Sequence, residues 1–299
     1  MILHESDSRA QCDFALEIAA HSGDESVVYK RVGQEPLYLS LYFPPHGGQD
    51  GMRPILLLVH GGGWRGKKVF PEQPHWMGDY LGFLARYYAN QGYFCASIDY
   101  RLLGQPGPER ENELIDLYED CMDAAEYVRR RAADWHADAR RMLVLGESAG
   151  GYLAAAMATL PLRACGIFAG AILVNAITDL TDASWAKSIA GACAHPLLAG
   201  KSLAEKAALL SPCANIRPGL PPALLLHGDR DSCVMPMHSA TFYEKSLACG
   251  NDAELVWIDG AEHAFLLAEY TREKGRGLGG ACAGVRAIDA WLRRHSFAG

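Results

Sequence analysis

Residues 142–152 read MLVLGESAGGY and contain the strongest local pattern in the chain. Four apolar residues that predict a buried strand run directly into GESAGG, and an alanine-rich segment that predicts a helix begins at about Ala149. A serine on a sharp turn between strand and helix is pushed out of the top of a sheet, and the flanking glycines remove Cβ atoms that would clash there. The pattern predicts Ser148 as a nucleophile. The alternative is a glycine-rich turn that carries an inert serine.

Strand-like and helix-like segments alternate along the rest of the chain. Alternation of this kind predicts an α/β fold in one domain, residues 1–299, with a mostly parallel central sheet and helices on both faces. The predicted strands are 36–43, 55–59, 93–98, 142–145, 167–174, 223–226 and 254–258. The predicted helices are 112–132, one from about 149, 236–249 and 281–295.

Two segments depart from this rhythm. Residues 176–221 carry no strand pattern and end near three prolines, so we predict a small cap-like insertion over the carboxyl edge of the sheet, since long structureless loops are uncommon in compact domains. The alternative is a surface connection with no role in substrate choice. Residues 1–35 are predicted to form an N-terminal extension.

Residues 60–64 read HGGGW and directly follow the apolar strand at 55–59. Three consecutive glycines let the backbone approach a ligand and aim successive N–H groups at one point, which is typical of an oxyanion hole. His60 is predicted to fix this loop, and Trp64 either walls an acyl pocket or packs in the core. The predicted oxyanion donors are the N–H groups of Gly62, Gly63 and Ala149.

A serine nucleophile needs a base and an orienting acid, and both are available downstream of Ser148. One later strand runs into a loop with Asp229 and Asp231, and the next runs into a loop with His263. Because carboxyl ends of parallel strands meet at one sheet edge, these side chains are predicted to gather beside Ser148. Position alone leaves both aspartates open as the acid.

The composition limits the function classes. Lys plus Arg is 28 and Asp plus Glu is 35, giving a formal net charge of −7, so a basic nucleic-acid-binding surface is not expected. Neither a metal-ligand spacing nor a nucleotide-binding glycine motif occurs, so no metal and no cofactor are predicted. Nine cysteines without CxxC pairs, no apolar membrane span and no secretory signal favour a cytoplasmic protein with reduced thiols and no membrane partner.

Five motifs lie between about residue 36 and 295: HGGGW at 60–64, SIDYRL at 97–102, GESAGG at 146–151, HGDRDSCVMP at 227–236 and EHAF at 262–265. On these motifs the chain resembles α/β-hydrolases, and more narrowly hormone-sensitive-lipase-like and BD-FAE-type esterases. The resemblance implies Ser148 as the nucleophile, Asp231 as the acid and His263 as the base, without a cofactor. The acid motif is similar to the BD-FAE and prolyl-oligopeptidase form and differs from the DPL form of the lipase branch.

The resemblance implies a carboxylesterase that acts on short acyl esters through an acyl-enzyme, with acetyl-xylan or feruloyl esters as one substrate option. A formamidase or arylamidase and a non-enzymatic binding protein on a hydrolase scaffold are the alternatives. The expected partner is a small-molecule or saccharide ester; the oligomeric state stays open, with a homodimer as one option. The candidates for lining the substrate pocket, each of which could equally pack in the core, are Trp64, Tyr100, Trp185 and Phe265.

Overall fold

The structure is a computed structural model that describes residues 2–3, 23–45, 51–66, 69–70, 73–77, 81–163, 166–182, 185, 195–267, 271 and 274–297. The strands are β1 (Ile2–Leu3), β2 (Glu25–Val32), β3 (Glu35–Tyr42), β4 (Arg53–Val59), β5 (Val69–Phe70), β6 (Gln73–Met77), β7 (Phe94–Ile98), β8 (Ala137–Glu147), β9 (Gly170–Val174), β10 (Ala223–Gly228) and β11 (Ala253–Ile258). The helices are α1 (Gly82–Asn90), α2 (Leu114–Arg131), α3 (Ala149–Thr159), α4 (Leu203–Leu210), α5 (Met237–Ala248) and α6 (Gly279–Arg294).

The described strands form a nine-stranded sheet in the order β1-β11-β10-β9-β8-β4-β7-β3-β2. Neighbours from β1 through β7 in this order run parallel, while β3 is antiparallel to both β7 and β2. Strands β5 and β6 pair separately as an antiparallel ribbon. The predicted α/β fold with a mostly parallel sheet is confirmed.

Strand β4 shows how both faces of the sheet are covered. Ile55, Leu57 and Val59 belong to one hydrophobic core with residues of α2 and α3, whereas Leu56 and Leu58 belong to a second core with residues of α1 and α6. Successive side chains of a strand point to opposite faces, so a strand covered on both sides must be apolar throughout. The continuous run ILLLV reflects this double burial.

The N-terminal segment contributes to both edges of the sheet. Ile2–Leu3 pairs with β11 at one edge, and Glu25–Val32 pairs with β3 at the other. The predicted extension at 1–35 therefore holds two sheet strands that the sequence pattern did not show. The reason is physical: β1 has two residues, and β2 is half-buried along most of its length, so it lacks the alternation that marks a strand with one buried face.

The described parts of the segment 176–221 contain helix α4 and a 3-10 turn at Pro212–Ala214, without a strand. Its buried residues Leu198 and Leu210 belong to the same core as α2 and α3. The Tyr152 hydroxyl on α3 donates a hydrogen bond of 3.0 Å to the carbonyl oxygen of Leu210. The segment is thus anchored on the helix that follows Ser148, and its role as a cap stays a prediction.

Cysteine chemistry differs from the expectation at one position. Cys282, near the start of α6, is disulfide-bonded, which corrects the prediction of reduced thiols for this residue. The thiols that are free in the structure are Cys95, Cys121, Cys213, Cys233 and Cys249. In the part of the chain that the structure describes, no helix combines the length and apolar character needed to cross a bilayer.

Candidate active site

Ser148 occupies a strained turn between β8 and α3. Its backbone has φ 55° and ψ −120°, outside the regions that non-glycine residues commonly adopt, and its side chain is 9% exposed. A Cβ on Gly150 would lie 2.0 Å from the carbonyl oxygen of Val59 and 2.4 Å from that of His60. Glycine at 150 therefore permits the close contact that locks this turn against the end of β4.

Three side chains from three loops meet at this edge of the sheet. His263 Nε2 lies 2.9 Å from Ser148 Oγ, and His263 Nδ1 lies 2.7 Å from Asp231 Oδ2. Because a carboxylate only accepts, Nδ1 carries the proton and donates to Asp231, which leaves Nε2 to accept from the serine hydroxyl. The structure places Ser148, His263 and Asp231, the three residues that the family resemblance implies, in one hydrogen-bonded series.

Asp231 is held by its own loop and by a buried histidine behind it. Its Oδ1 accepts the backbone N–H groups of Cys233 and Val234, each at 2.9 Å. His227 Nε2 lies 2.9 Å from the Val234 carbonyl oxygen and 3.3 Å from Asp231 Oδ2, and because both only accept, Nε2 carries the proton. His227 Nδ1 lies 2.7 Å from the Ser239 hydroxyl oxygen. These contacts leave Asp231 few ways to turn away from the imidazole.

The charges of the series reinforce one another. Burial by itself would raise the pKa of Asp231. The stronger effect is opposite: Asp231 accepts hydrogen bonds from His227 and His263 and lies beside the positive charge of His263, so its pKa is well below the usual range. Burial lowers the pKa of His263, and the hydrogen bond to Asp231 with the charges of Glu147 and Asp231 outweighs this, so the pKa is raised. Asp231 is therefore an ionised orienting group for a basic imidazole.

The competing carboxylate has another role in the structure. Asp229 is exposed and its Oδ1 accepts the Gly260 N–H at 2.8 Å, which joins the loop after β10 to the loop after β11. Its described contacts are thus with the neighbouring loop backbone, and the hydrogen bond to the imidazole of His263 belongs to Asp231.

The loop at 60–64 lies beside the serine turn. Gly62 has φ 105° and Gly63 has φ 61°, and the Gly62 carbonyl accepts the N–H groups of Arg65 and Gly66. Within the described residues the N–H groups of Gly62 and Gly63 donate to no acceptor. The N–H of Ala149, as the first residue of α3, has no partner inside its helix. These are the three groups that the sequence predicts as oxyanion donors.

Two aromatic residues fix this loop. The Tyr100 hydroxyl donates to the His60 carbonyl at 2.7 Å, and the two rings stack with centroids 4.2 Å apart. The Trp64 indole Nε1–H donates to the Ala149 carbonyl at 3.0 Å. Arg101, next to Tyr100, forms a two-pronged ion pair with the buried Asp120 of α2. The loop is thereby tied to the serine turn and to the core.

The predicted substrate-lining residues separate into two groups. Trp64, Tyr100 and Phe265 are at most 5% exposed and pack in the core, which is the alternative that the sequence left open for each of them. Trp185 is half-buried; its ring meets Trp64 edge-on at 5.8 Å, and its Nε1–H donates to His238 Nε2 at 3.0 Å. A role in lining the substrate pocket stays a prediction for all four residues.

Within the described residues one cluster has the residue types of a metal site. Ligand atoms of Asp116, Glu119 and His195 lie within 4.8 Å of one another. However, the two carboxylate oxygens of Asp116 accept from the guanidinium of Arg110 at 2.6 and 2.8 Å, and Asp116 Oδ2 also accepts the Glu113 N–H. These contacts describe an ion-pair and capping cluster at the start of α2.

The BD-FAE family model matches residues 39–246. The chain is 26% identical to a butyrate-bound thermophilic esterase from the Planctomycetes species Thermogutta terrifontis, over 94% of this chain and 96% of that one, with a TM-score of 0.73. It is 26% identical to an isoprenylcysteine alpha-carbonyl methylesterase of Arabidopsis thaliana, over 84% of this chain and 58% of that protein.

A shorter match is to a non-reducing polyketide synthase of Aspergillus terreus, which is 32% identical over 177 residues. That match covers 55% of this chain and 7% of the synthase. The chain thus spans little more than half of the methylesterase and a small part of the synthase.

Proposed function

Because the chain belongs to the BD-FAE family, we propose that it is a serine carboxylesterase that hydrolyses short-chain acyl esters through an acyl-enzyme intermediate. The observation that carries this proposal is the hydrogen-bonded series Ser148–His263–Asp231, with 2.9 and 2.7 Å between its members. A serine hydroxyl on a strained turn, a neutral imidazole acceptor and a buried carboxylate are the three parts that nucleophilic acyl transfer requires.

In the proposed acylation step, Ser148 Oγ attacks the ester carbonyl carbon while its proton passes to His263 Nε2. Asp231 accepts the hydrogen bond from His263 Nδ1–H throughout the step and stabilises the imidazolium that forms. The carbonyl π electrons move onto the oxygen, which becomes an anion. When the carbon–oxygen bond to the alcohol breaks, His263 Nε2–H protonates the departing alkoxide, leaving an acyl group on Ser148.

Deacylation reverses these roles. Water enters where the alcohol left, His263 removes its proton, and the resulting hydroxide attacks the acyl carbonyl. Collapse of the second tetrahedral intermediate expels Ser148 Oγ, which recovers its proton from His263. The products are a carboxylic acid and an alcohol, and no cofactor takes part in either half.

The anion that forms in both halves needs fixed donors. The N–H groups of Gly62, Gly63 and Ala149 are proposed to supply them, since the first two are without acceptors in the described structure and the third opens a helix. Donors that are already in place do not need to reorganise during the reaction, and one such donor is worth about 10²–10³ in kcat. The Tyr100 and Trp64 hydrogen bonds hold these donors in position.

The proposed acyl group is short. Support comes from the butyrate bound to the Thermogutta terrifontis esterase, which the chain matches over nearly its whole length. The Arabidopsis relative is named for a methyl ester, which is a small alcohol on a larger acid. Acetylated xylan and feruloyl esters are proposed as saccharide substrates by analogy with the BD-FAE family, to which the chain belongs.

The test is hydrolysis of a p-nitrophenyl ester series from acetate to palmitate by wild type and by Ser148→Ala. We expect turnover of the acetate and butyrate esters that falls by about 10⁴-fold or more in the variant. An unchanged far-ultraviolet circular dichroism spectrum of Ser148→Ala controls for folding. Absence of turnover on every ester, or activity that survives in Ser148→Ala, would overturn the proposal.

A further inference from the structure

A second carboxyl group lies beside the imidazole of His263. Glu147, the residue before Ser148, is the last residue of β8 and is 2% exposed. Its Oε1 has no hydrogen-bond partner among the described residues and lies 3.9 Å from His263 Nε2, the nitrogen that faces Ser148 Oγ. Because little solvent screens charges in such a place, the two groups interact strongly.

The glycine loop makes room for this carboxyl group. A Cβ on Gly61 would lie 2.5 Å from Oε2 of Glu147 and 3.3 Å from Cβ of Ser148. A methyl group and the carboxylate cannot both occupy this space, so glycine at 61 and glutamate at 147 fit each other. Glu147 is therefore seated in a fixed position between the 60–64 loop and the imidazole.

The groups around Glu147 define its charge. Burial, first, and the negative charge of Asp231 raise the pKa of Glu147 to about 7, against the charge of His263 and the amide of Asn175, which lower it. Burial and the negative charges of Asp231 and Glu147 raise the pKa of the nearby Cys233 thiol. The hydrogen bond from His227 lowers the pKa of Asp231, and the positive charge of Arg276 lowers the pKa of His263. Above neutral pH Glu147 is mostly ionised.

We infer that Glu147 is a positioning residue whose buried carboxylate stabilises the imidazolium of His263 formed when the proton leaves Ser148. This inference rests on the proposed function. Asp231 acts on Nδ1 of the imidazole, whereas Glu147 acts beside Nε2, the atom that receives the proton. The proton still moves from Ser148 Oγ to His263 Nε2 and on to the leaving alcohol, and Glu147 neither gains nor loses a proton in the step.

A charge in this position has two opposite kinetic effects. It lowers the free energy of the imidazolium in the transition state, which raises kcat/KM at high pH. It also favours the imidazolium in the resting enzyme, which moves the acid limb of the pH profile to higher pH. Removing the charge should therefore lower the plateau and shift the acid limb to lower pH. A merely structural side chain would lower the plateau without moving the limb.

The experiment is the pH dependence of kcat/KM for p-nitrophenyl acetate in wild type, Glu147→Gln and Glu147→Asp, with Glu244→Gln as an exposed control on α5. We expect Glu147→Gln to lower the plateau by about tenfold or more and to move the acid limb downward. Glu147→Asp keeps the charge, so its plateau and acid limb should lie between those of Glu147→Gln and wild type. Glu244→Gln should match wild type. An unmoved acid limb or an unchanged plateau in Glu147→Gln would overturn the inference.

A second measurement does not depend on turnover. Titration of the His263 imidazole by NMR in Ser148→Ala, with and without Glu147→Gln, should show a lower His263 pKa when the carboxylate is absent. An unshifted His263 pKa would contradict the inference. Loss of hydrolysis in Ser148→Ala with no shift from Glu147→Gln leaves the proposed function standing, whereas hydrolysis that survives in Ser148→Ala overturns the proposed function itself.

Discussion

Tyr100 holds His60 in two ways: its hydroxyl donates to the His60 carbonyl at 2.7 Å, and its ring stacks on the imidazole at 4.2 Å. Tyr100 precedes Arg101, whose guanidinium forms an ion pair with the buried carboxylate of Asp120 on α2 and so anchors this loop. The glycines that follow His60 are the proposed oxyanion donors, so the position of their N–H groups depends on this contact.

Tyr100→Phe should therefore lower kcat by about tenfold while KM changes less, since it loosens the donors without removing them. It should also lower the free energy of unfolding by about 1–3 kcal/mol, because a buried carbonyl loses its donor. Steady-state kinetics on p-nitrophenyl acetate and urea unfolding check both effects. Tyr127→Phe, on the outer part of α2, is the control. An unchanged kcat in Tyr100→Phe would show that the glycine N–H groups keep their positions without the Tyr100 hydrogen bond.

The two aspartates after β10 offer a matched pair. Asp231→Asn should lower kcat/KM by about 10⁴-fold, because an amide can no longer fix the imidazole with Nδ1 protonated. Asp229→Asn keeps an oxygen for the Gly260 N–H and should stay within about threefold of wild type, as expected for an exposed substitution. The same kinetic assay reports both variants, and the opposite ranking would reassign the acid.

Much of this arrangement could be predicted from the sequence, because local pattern and topology agree. The run ILLLV indicates a strand buried on both faces, and β4 is such a strand. Ser148, Asp231 and His263 each follow a different strand of a parallel sheet, so the topology alone brings them to one edge.

Other features depend on contacts that no local pattern reports. Trp64 packs against Tyr152 and Phe265 against Gly284, and these contacts bury two side chains for which the sequence left pocket and core equally open. Glu147 stands at a variable position of its motif, and only the folded chain shows that its carboxyl group faces His263.

Glu147 should make stability depend on pH in a direction opposite to that of most carboxylates. Its folded-state pKa, about 7, lies above the unfolded value of about 4.3, so the folded state binds the proton more tightly and loses stability as pH rises between these values. The loss over the whole interval amounts to about 4 kcal/mol, since each pH unit between the two values contributes about 1.4 kcal/mol, and about 3 kcal/mol of this loss falls between about pH 4.5 and pH 8.

Because glutamine cannot ionise, the Glu147→Gln variant should not lose this part of its unfolding free energy as the pH rises. Urea unfolding of wild type and variant at about pH 4.5 and pH 8 measures the difference in unfolding free energy, which we expect to shift by about 3 kcal/mol in favour of the variant at the higher pH. Any fixed cost of the amide is the same at both values and cancels. A difference that does not change with pH would contradict the buried, near-neutral titration of this residue.

Trp185 is half-buried and is the most exposed of the four predicted pocket residues. Trp185→Ala should raise the ratio of kcat/KM for the octanoate ester over the acetate ester by about tenfold, because the space left by the ring can hold further methylene groups. Trp185→Phe keeps a ring beside Trp64 and should change the ratio less. The p-nitrophenyl ester series measures both, and an unaltered chain-length preference in Trp185→Ala would place the acyl pocket elsewhere.

The proposed mechanism requires that a covalent acyl group form on Ser148. Rapid acid quenching of the enzyme with p-nitrophenyl butyrate, followed by peptide mass spectrometry, should find one butyryl group on the peptide that contains Ser148. The same treatment of Ser148→Ala should leave that peptide unmodified. A butyryl group on another residue, or rapid hydrolysis by wild type with no acylated peptide at any quench time, would contradict the mechanism.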